Sequence, residues 1–165
     1  MENIAQKAAF LRSEYANLLR QIDPATERRW GKMNFQQMVE HMSDSVRIGN
    51  GRDPHQLQVP EESVAKMQAF VMSDKPFREN TPNRLLPEEP VAVRNATLEG
   101  SIDELQQEID YLFEVFEGQP GKTIMNPFFG ALDFNLWITL LYKHAWHHLR
   151  QFGVDARTPD VSTTT

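Results

Sequence analysis

The sequence predicts an all-α protein, a four-helix bundle with a long crossover between its second and third helices. Three observations carry this. Four segments repeat apolar residues at steps of three and four, which lays one apolar stripe along each helix. Six of the ten prolines (Pro54, Pro60, Pro76, Pro82, Pro87 and Pro90) fall between the second and third of these segments, where no long regular element fits. Nowhere is there clear strand alternation or an internal repeat. With 165 residues, 40% hydrophobic and 24% charged, the chain suits one globular domain with its own core. That domain is expected over 1–154, with 155–165 a frayed, flexible tail.

The first helix is expected over 3–22, where Ile4, Ala8, Leu11, Tyr15, Leu18 and Ile22 share a face. Asp23–Pro24 ends it. The second runs 34–48, with Asn34 as N-cap, Gln37 completing a capping box, and Gly49-Asn50-Gly51 as the stop. Its buried stripe is Phe35, Met38, Val39, Met42 and Val46. Inside the proline-rich link only 61–72 suggests a short helix. An ordered link of that length is a candidate site wall. The third helix is expected over 101–117, with a Ser101–Glu104 capping box and Leu105, Ile109, Leu112 and Phe116 inward. After a loop, "QPGKTIMNPFFGAL", Asp133 caps a fourth helix that runs to 152 and closes at Gly153.

Composition excludes several functions. With no cysteine, neither disulfides nor thiolate metal sites are available. The net charge is −6, and Arg28-Arg29 is the one adjacent basic pair, so nucleic acid is not an expected partner. The longest apolar run lies within "FNLWITLLY", too short to span a membrane. The start "MENIAQKAAFLRSEY" is unlike a signal peptide, so the expected location is cytoplasmic.

Three of the five histidines lie within "KHAWHH", at His144, His147 and His148. His144 and His148 are four apart, hence about 40° apart in azimuth, on the flank of the buried side. His147 points further round, toward Lys143 and Arg150. An i, i+4 histidine pair can share a metal ion, and a third ligand should come from a facing helix. His41, on the flank stripe Met38-His41-Ser45-Ile48 of the second helix, supplies it; His55 in the link is the weaker candidate. The expected metal ligands are therefore His41, His144 and His148. Gln151 and Asp44, one turn beyond His148 and His41, are candidate supporting groups. Three neutral imidazoles leave a coordination position open on Zn²⁺, and more on Ni²⁺ or Fe²⁺.

Blander roles suit other residues. Trp137, Trp146, Phe128 and Phe129 read as core or end packing, Met33, Met38 and Met42 as gap-filling core, and Asp103, Glu104, Glu108 and Asp110 as solvated helix surface. E-x-x-H, H-E-x-x-H, G-x-S-x-G, the P-loop and G-x-G-x-x-G are all absent.

The segments "GKMNFQQMVEHM" and "NPFFGALDFNLWITLLYKHAWHHLRQFGV" resemble the DinB/YfiT-like superfamily, closest to a subfamily without an established function. The similarity runs from about residue 5 to 154, and K-H-x-x-H-H-L-R-Q-F-G is its most specific part. The resemblance implies a four-helix bundle with a long second-to-third connection. It also implies a divalent metal ion held by His41, His144 and His148; from the donor set the first expectation is zinc, with nickel or iron otherwise. Some members are S-transferases or isomerases using the low-molecular-weight thiols bacillithiol or mycothiol, others are grouped with hydrolases, and homodimers are common. The implied function is thus a metal-dependent hydrolase or thiol transferase acting on a small-molecule substrate. The alternatives are a non-catalytic metal- or small-molecule-binding bundle, or a structural dimer with a vestigial site.

Overall fold

The computed structural model describes residues 2–80 and 86–155. Their regular structure is helical apart from one small hairpin. Pro82 and the expected tail beyond Asp155 lie outside the described residues.

The chain opens with α1 (Ile4–Ala9), passes through a π-helical turn at Phe10–Glu14, and continues as α2 (Tyr15–Gln21). This wider turn departs from the predicted regular stripe. Its i→i+5 spacing brings Phe10, Leu11, Tyr15 and Ala16 into the core together, followed by Leu19, while Leu18 and Ile22 sit half-buried beside it. α3 (Phe35–Gly49) starts as its sequence dictates: Asn34 accepts from the Gln37 amide and the Gln37 side chain accepts from Asn34 N–H. Its five predicted apolar residues are buried.

In the link, a 3-10 turn (Glu61–Ser63) leads into α4 (Val64–Met72), which lies against the last helix. α5 (Leu98–Gly118) begins one turn earlier than the predicted Ser101 box. Thr97 is the cap, accepting from Gly100 N–H, and Ser101 sits inside the helix.

The predicted loop after α5 contains an antiparallel hairpin, β1 (Ile124–Asn126) with β2 (Gly130–Leu132). Three-residue strands are too short for alternation to show. Asn126 Oδ1 makes the turn by accepting from Phe128 and Phe129 N–H. Gly130 (φ +83°) lies where a Cβ would come within 2.7 Å of Val64, so α4 and the hairpin can close together. α6 (Phe134–Gln151) is capped by Asp133 and stops at Gly153. Its Trp137 indole donates to Ile124 C=O, pinning hairpin to helix. α3 lies along α5, α2 packs on α5, and α6 contacts α1, α3 and α4. Among the described residues no helix is long and apolar enough to cross a membrane.

One buried charge ties the link to this core. Glu40 on α3 is 4% exposed and accepts from Arg94 N, Asn95 N, Asn95 Nδ2 and Ser101 Oγ at 2.8–3.1 Å. Burial alone would raise its pKa; the hydrogen bonds outweigh that and hold it low. Arg94 also pairs with Asp44 and Glu104. The acidic face of α5 is therefore more than solvated surface, since Glu104 meets Arg94, Glu108 meets Arg52 and Asp103 meets Arg20. Glu40→Ala leaves four donors without their acceptor and is expected to cost about 3 kcal/mol. Urea denaturation checks this: the midpoint should fall sharply, and a change near zero would mean the clasp adds nothing.

Candidate metal centre

α3 and α6 each turn one flank toward the other, and the histidines of those flanks meet. His41 Nε2 lies 3.1 Å from His144 Nε2, and His148 Nε2 lies 2.9 Å from the same atom. The ligand nitrogens of all three fall within 4.8 Å of one another. Ring centroids are 4.7–5.0 Å apart. His148 is buried, while His41 and His144 are half-buried. The structure thus brings together the three residues expected from spacing, although they are 103 positions apart across the α3–α6 pair.

The tautomer of His148 follows from its partner. Gln151 Nε2 donates to Trp30 C=O at 2.9 Å, so Gln151 Oε1 faces His148 Nδ1 at 2.8 Å as an acceptor. Nδ1 therefore carries the proton, and the Nε2 lone pair points into the cluster. Burial holds all of these imidazoles neutral. It lowers the His41 pKa to about 4, with the neighbouring His147 adding to the effect. Burial, reinforced by the other rings, pushes His144 and His148 well below the ordinary value.

Three neutral Nε2 atoms cannot satisfy one another. Each offers either one N–H or one lone pair toward the centre, and an odd number cannot form donor–acceptor pairs. A cation accepts three lone pairs at once. Nitrogens about 2.1 Å from a common ion are roughly 3.0 Å apart at right angles and roughly 3.4 Å apart at the tetrahedral angle. The two short separations are of that size, so the donor set fits a divalent ion.

The remaining candidates divide clearly. Gln151 supports the cluster as expected. Asp44 does not: it is exposed and ion-paired to Arg94 at 3.1 Å. Arg94 draws that carboxylate toward the link and away from the histidines. His147 stays outside the trio, its ring against His148 (5.0 Å) and beside Trp30 (5.4 Å) and Phe77 (5.8 Å). His55 pairs with Asp53 in the link.

Two neighbours were not foreseen. Phe77, from the link, packs edge-on against His144 at 5.8 Å, so the link does reach the site. The turn before α3 also reaches it: Arg29 N–H donates to Gln151 C=O at 2.7 Å. Gly31 (φ +76°) then passes so close that a Cβ would lie 2.9 Å from Gln151 Nε2. The aromatic character of Trp30 and the glycine after it were the available signals. Gln151→Leu should weaken metal affinity about 10- to 100-fold with the fold kept. Competition against a chromophoric chelator reads this; unchanged affinity would remove Gln151 from the site.

Comparison with protein-family models, curated proteins and solved structures finds no match to the chain.

Proposed function

We propose that this chain is a metal-dependent enzyme that binds one divalent ion, zinc by preference, through Nε2 of His41, His144 and His148. The observation that carries this is the convergence of three neutral imidazoles whose inward nitrogens cannot all be satisfied by one another. When bound, the ion supplies a Lewis acid with an open position, able to lower the pKa of a water or a substrate thiol. His148 is oriented for binding by Gln151, and Phe77 covers one side of His144. The architecture is read as a four-helix bundle of the DinB/YfiT-like kind. α1 with α2, α3, α5 and α6 are its helices and the α4-containing link its crossover, a reading supported by helix order and by the pairings of α3 with α5 and α6 with α1.

Between the two chemistries, transfer to or from a small thiol is favoured over hydrolysis. Glu40 and Asp44, the carboxylates on the helix of His41, are engaged by Asn95 and Arg94, which leaves neither as a general base at the rings. The test compares conjugation of a low-molecular-weight thiol to an electrophile with ester hydrolysis, before and after chelation. Thiol conjugation that disappears on chelation and returns with zinc is expected. Conjugation unaffected by chelation would reject the reading.

A further inference from the structure

A second feature lies on the same helix but away from the histidines. A cavity of about 370 Å³ opens between α1, α6 and the segment after α4, and none of the three clustered rings lines it. That volume is in the range of small-molecule sites. Its wall is apolar where Val71 and Trp146 face it, and cationic where Lys7, Lys75, Lys143 and Arg150 do.

The charges do not cancel. Three acidic residues also line the cavity, and one of them, Asp155, is neutralised from outside it. Glu2 accepts from the Tyr142 hydroxyl, and Asp155 is held by both Arg29 nitrogens. Glu2 and Asp74 are left against four cations. Lys143 donates to the carbonyls of Ser73 and Lys75 and sits over the Phe70 ring, which fixes its ammonium in place. Lys75 and Arg150 form no salt bridge among the described residues. In a chain of net charge −6, such a concentration of positive charge around a hollow is uneven in a way that selects anions.

Trp146 supplies the aromatic part of that wall. The residue is 8% exposed, and its indole N–H is buried without an acceptor. Phe10 stacks on the same indole at 5.5 Å and keeps it in position.

We propose that this cavity binds a small organic anion, an acid group carried on an apolar body. The acid group meets Lys7, Lys143 and Arg150, and the apolar body lies against Val71 and Trp146. The site does not depend on metal at the histidines.

Calorimetric titration of the full, chelator-stripped protein tests it, with phenylacetate, phenyl phosphate and neutral phenylacetamide as probes. At least one acid should bind saturably, about tenfold or more tighter than the amide, with affinity falling as salt rises. Arg150→Gln and Lys7→Gln, each checked for an unchanged melting curve, should each weaken that acid several-fold. Binding of the phosphate but not the carboxylate assigns the site to phosphate esters, and the reverse to carboxylic acids. The proposal is overturned if neither acid binds below about 10 mM, if the amide binds as well as the acids, or if both variants bind like wild type. Metal binding at the histidines can fail without touching any of these outcomes.

Discussion

His148→Ala is expected to abolish stoichiometric metal binding and, with it, the thermal stabilisation that zinc confers on the wild type. His148 contributes one of three inward nitrogens and is the ring whose lone pair is set by a fixed partner, Gln151. Losing it leaves His41 and His144, and two imidazoles seldom hold an ion that must also keep an open position. At free zinc about a hundredfold above Kd, binding to the folded state adds about 2.7 kcal/mol of stability. For a chain of this size that is a rise in Tm of about 5–10 °C. The wild type should show this rise and about one metal per chain by elemental analysis; His148→Ala and His41→Ala should show neither. The readout is kept separable from misfolding by measuring metal content only on variants that retain a cooperative metal-free melt. The metal-free His148→Ala should itself melt somewhat lower, because removing this buried ring opens a cavity and leaves Gln151 Oε1 without its donor. Full metal retention in either variant would overturn the ligand assignment.

What could be foreseen in the sequence was what local spacing determines. Asn34 with Gln37, and Asp133 with Gly153, bracket α3 and α6 because capping is a matter of a few adjacent residues. The same holds for His144 and His148, which one helical turn places together. His41 was reachable by a weaker route, since it lies on the flank of the other apolar stripe. The misses share a cause. The π-turn at Phe10–Glu14 repacks a stripe that a regular helix would also have satisfied, so the choice is made by the core and not by α1 itself. Ser101 resembled a cap, but its hydroxyl is drawn to Glu40, sixty-one positions away. Trp30 and Phe77 enter the site from segments without periodicity, and the Gln151–Trp30 contact joins residues 121 apart. Contacts made by irregular backbone across such separations leave no repeating signal in sequence.

The same desolvated rings impose a steep acid sensitivity on the metal-free protein. An exposed imidazole in the unfolded chain titrates near 6.5. In the fold, burial lowers His41 to about 4 and takes His144 and His148 well below the ordinary value. Between these limits the unfolded state binds more protons than the native state, so stability must rise with pH across that window. Stability is thus full above about pH 6.5 and lost progressively as the pH falls toward 4. Each such histidine contributes at most about 1.4 kcal/mol per pH unit. Three such groups act in the same direction, so the loss on acidification is large against the stability of an ordinary domain. His147 is also lowered, but it is partly exposed and solvent screens it, so it adds less. Metal-free protein should therefore lose its cooperative melt near pH 5 while holding a level Tm from pH 7 to 8. His144→Gln removes one ring that must stay neutral and should flatten the slope by about one proton's worth. A saturating metal should steepen it, because protons then compete for the same lone pairs. Thermal melts at half-unit pH steps decide the matter, and a Tm level from pH 7 to 5 in the metal-free protein would show that these imidazoles are not desolvated in the fold.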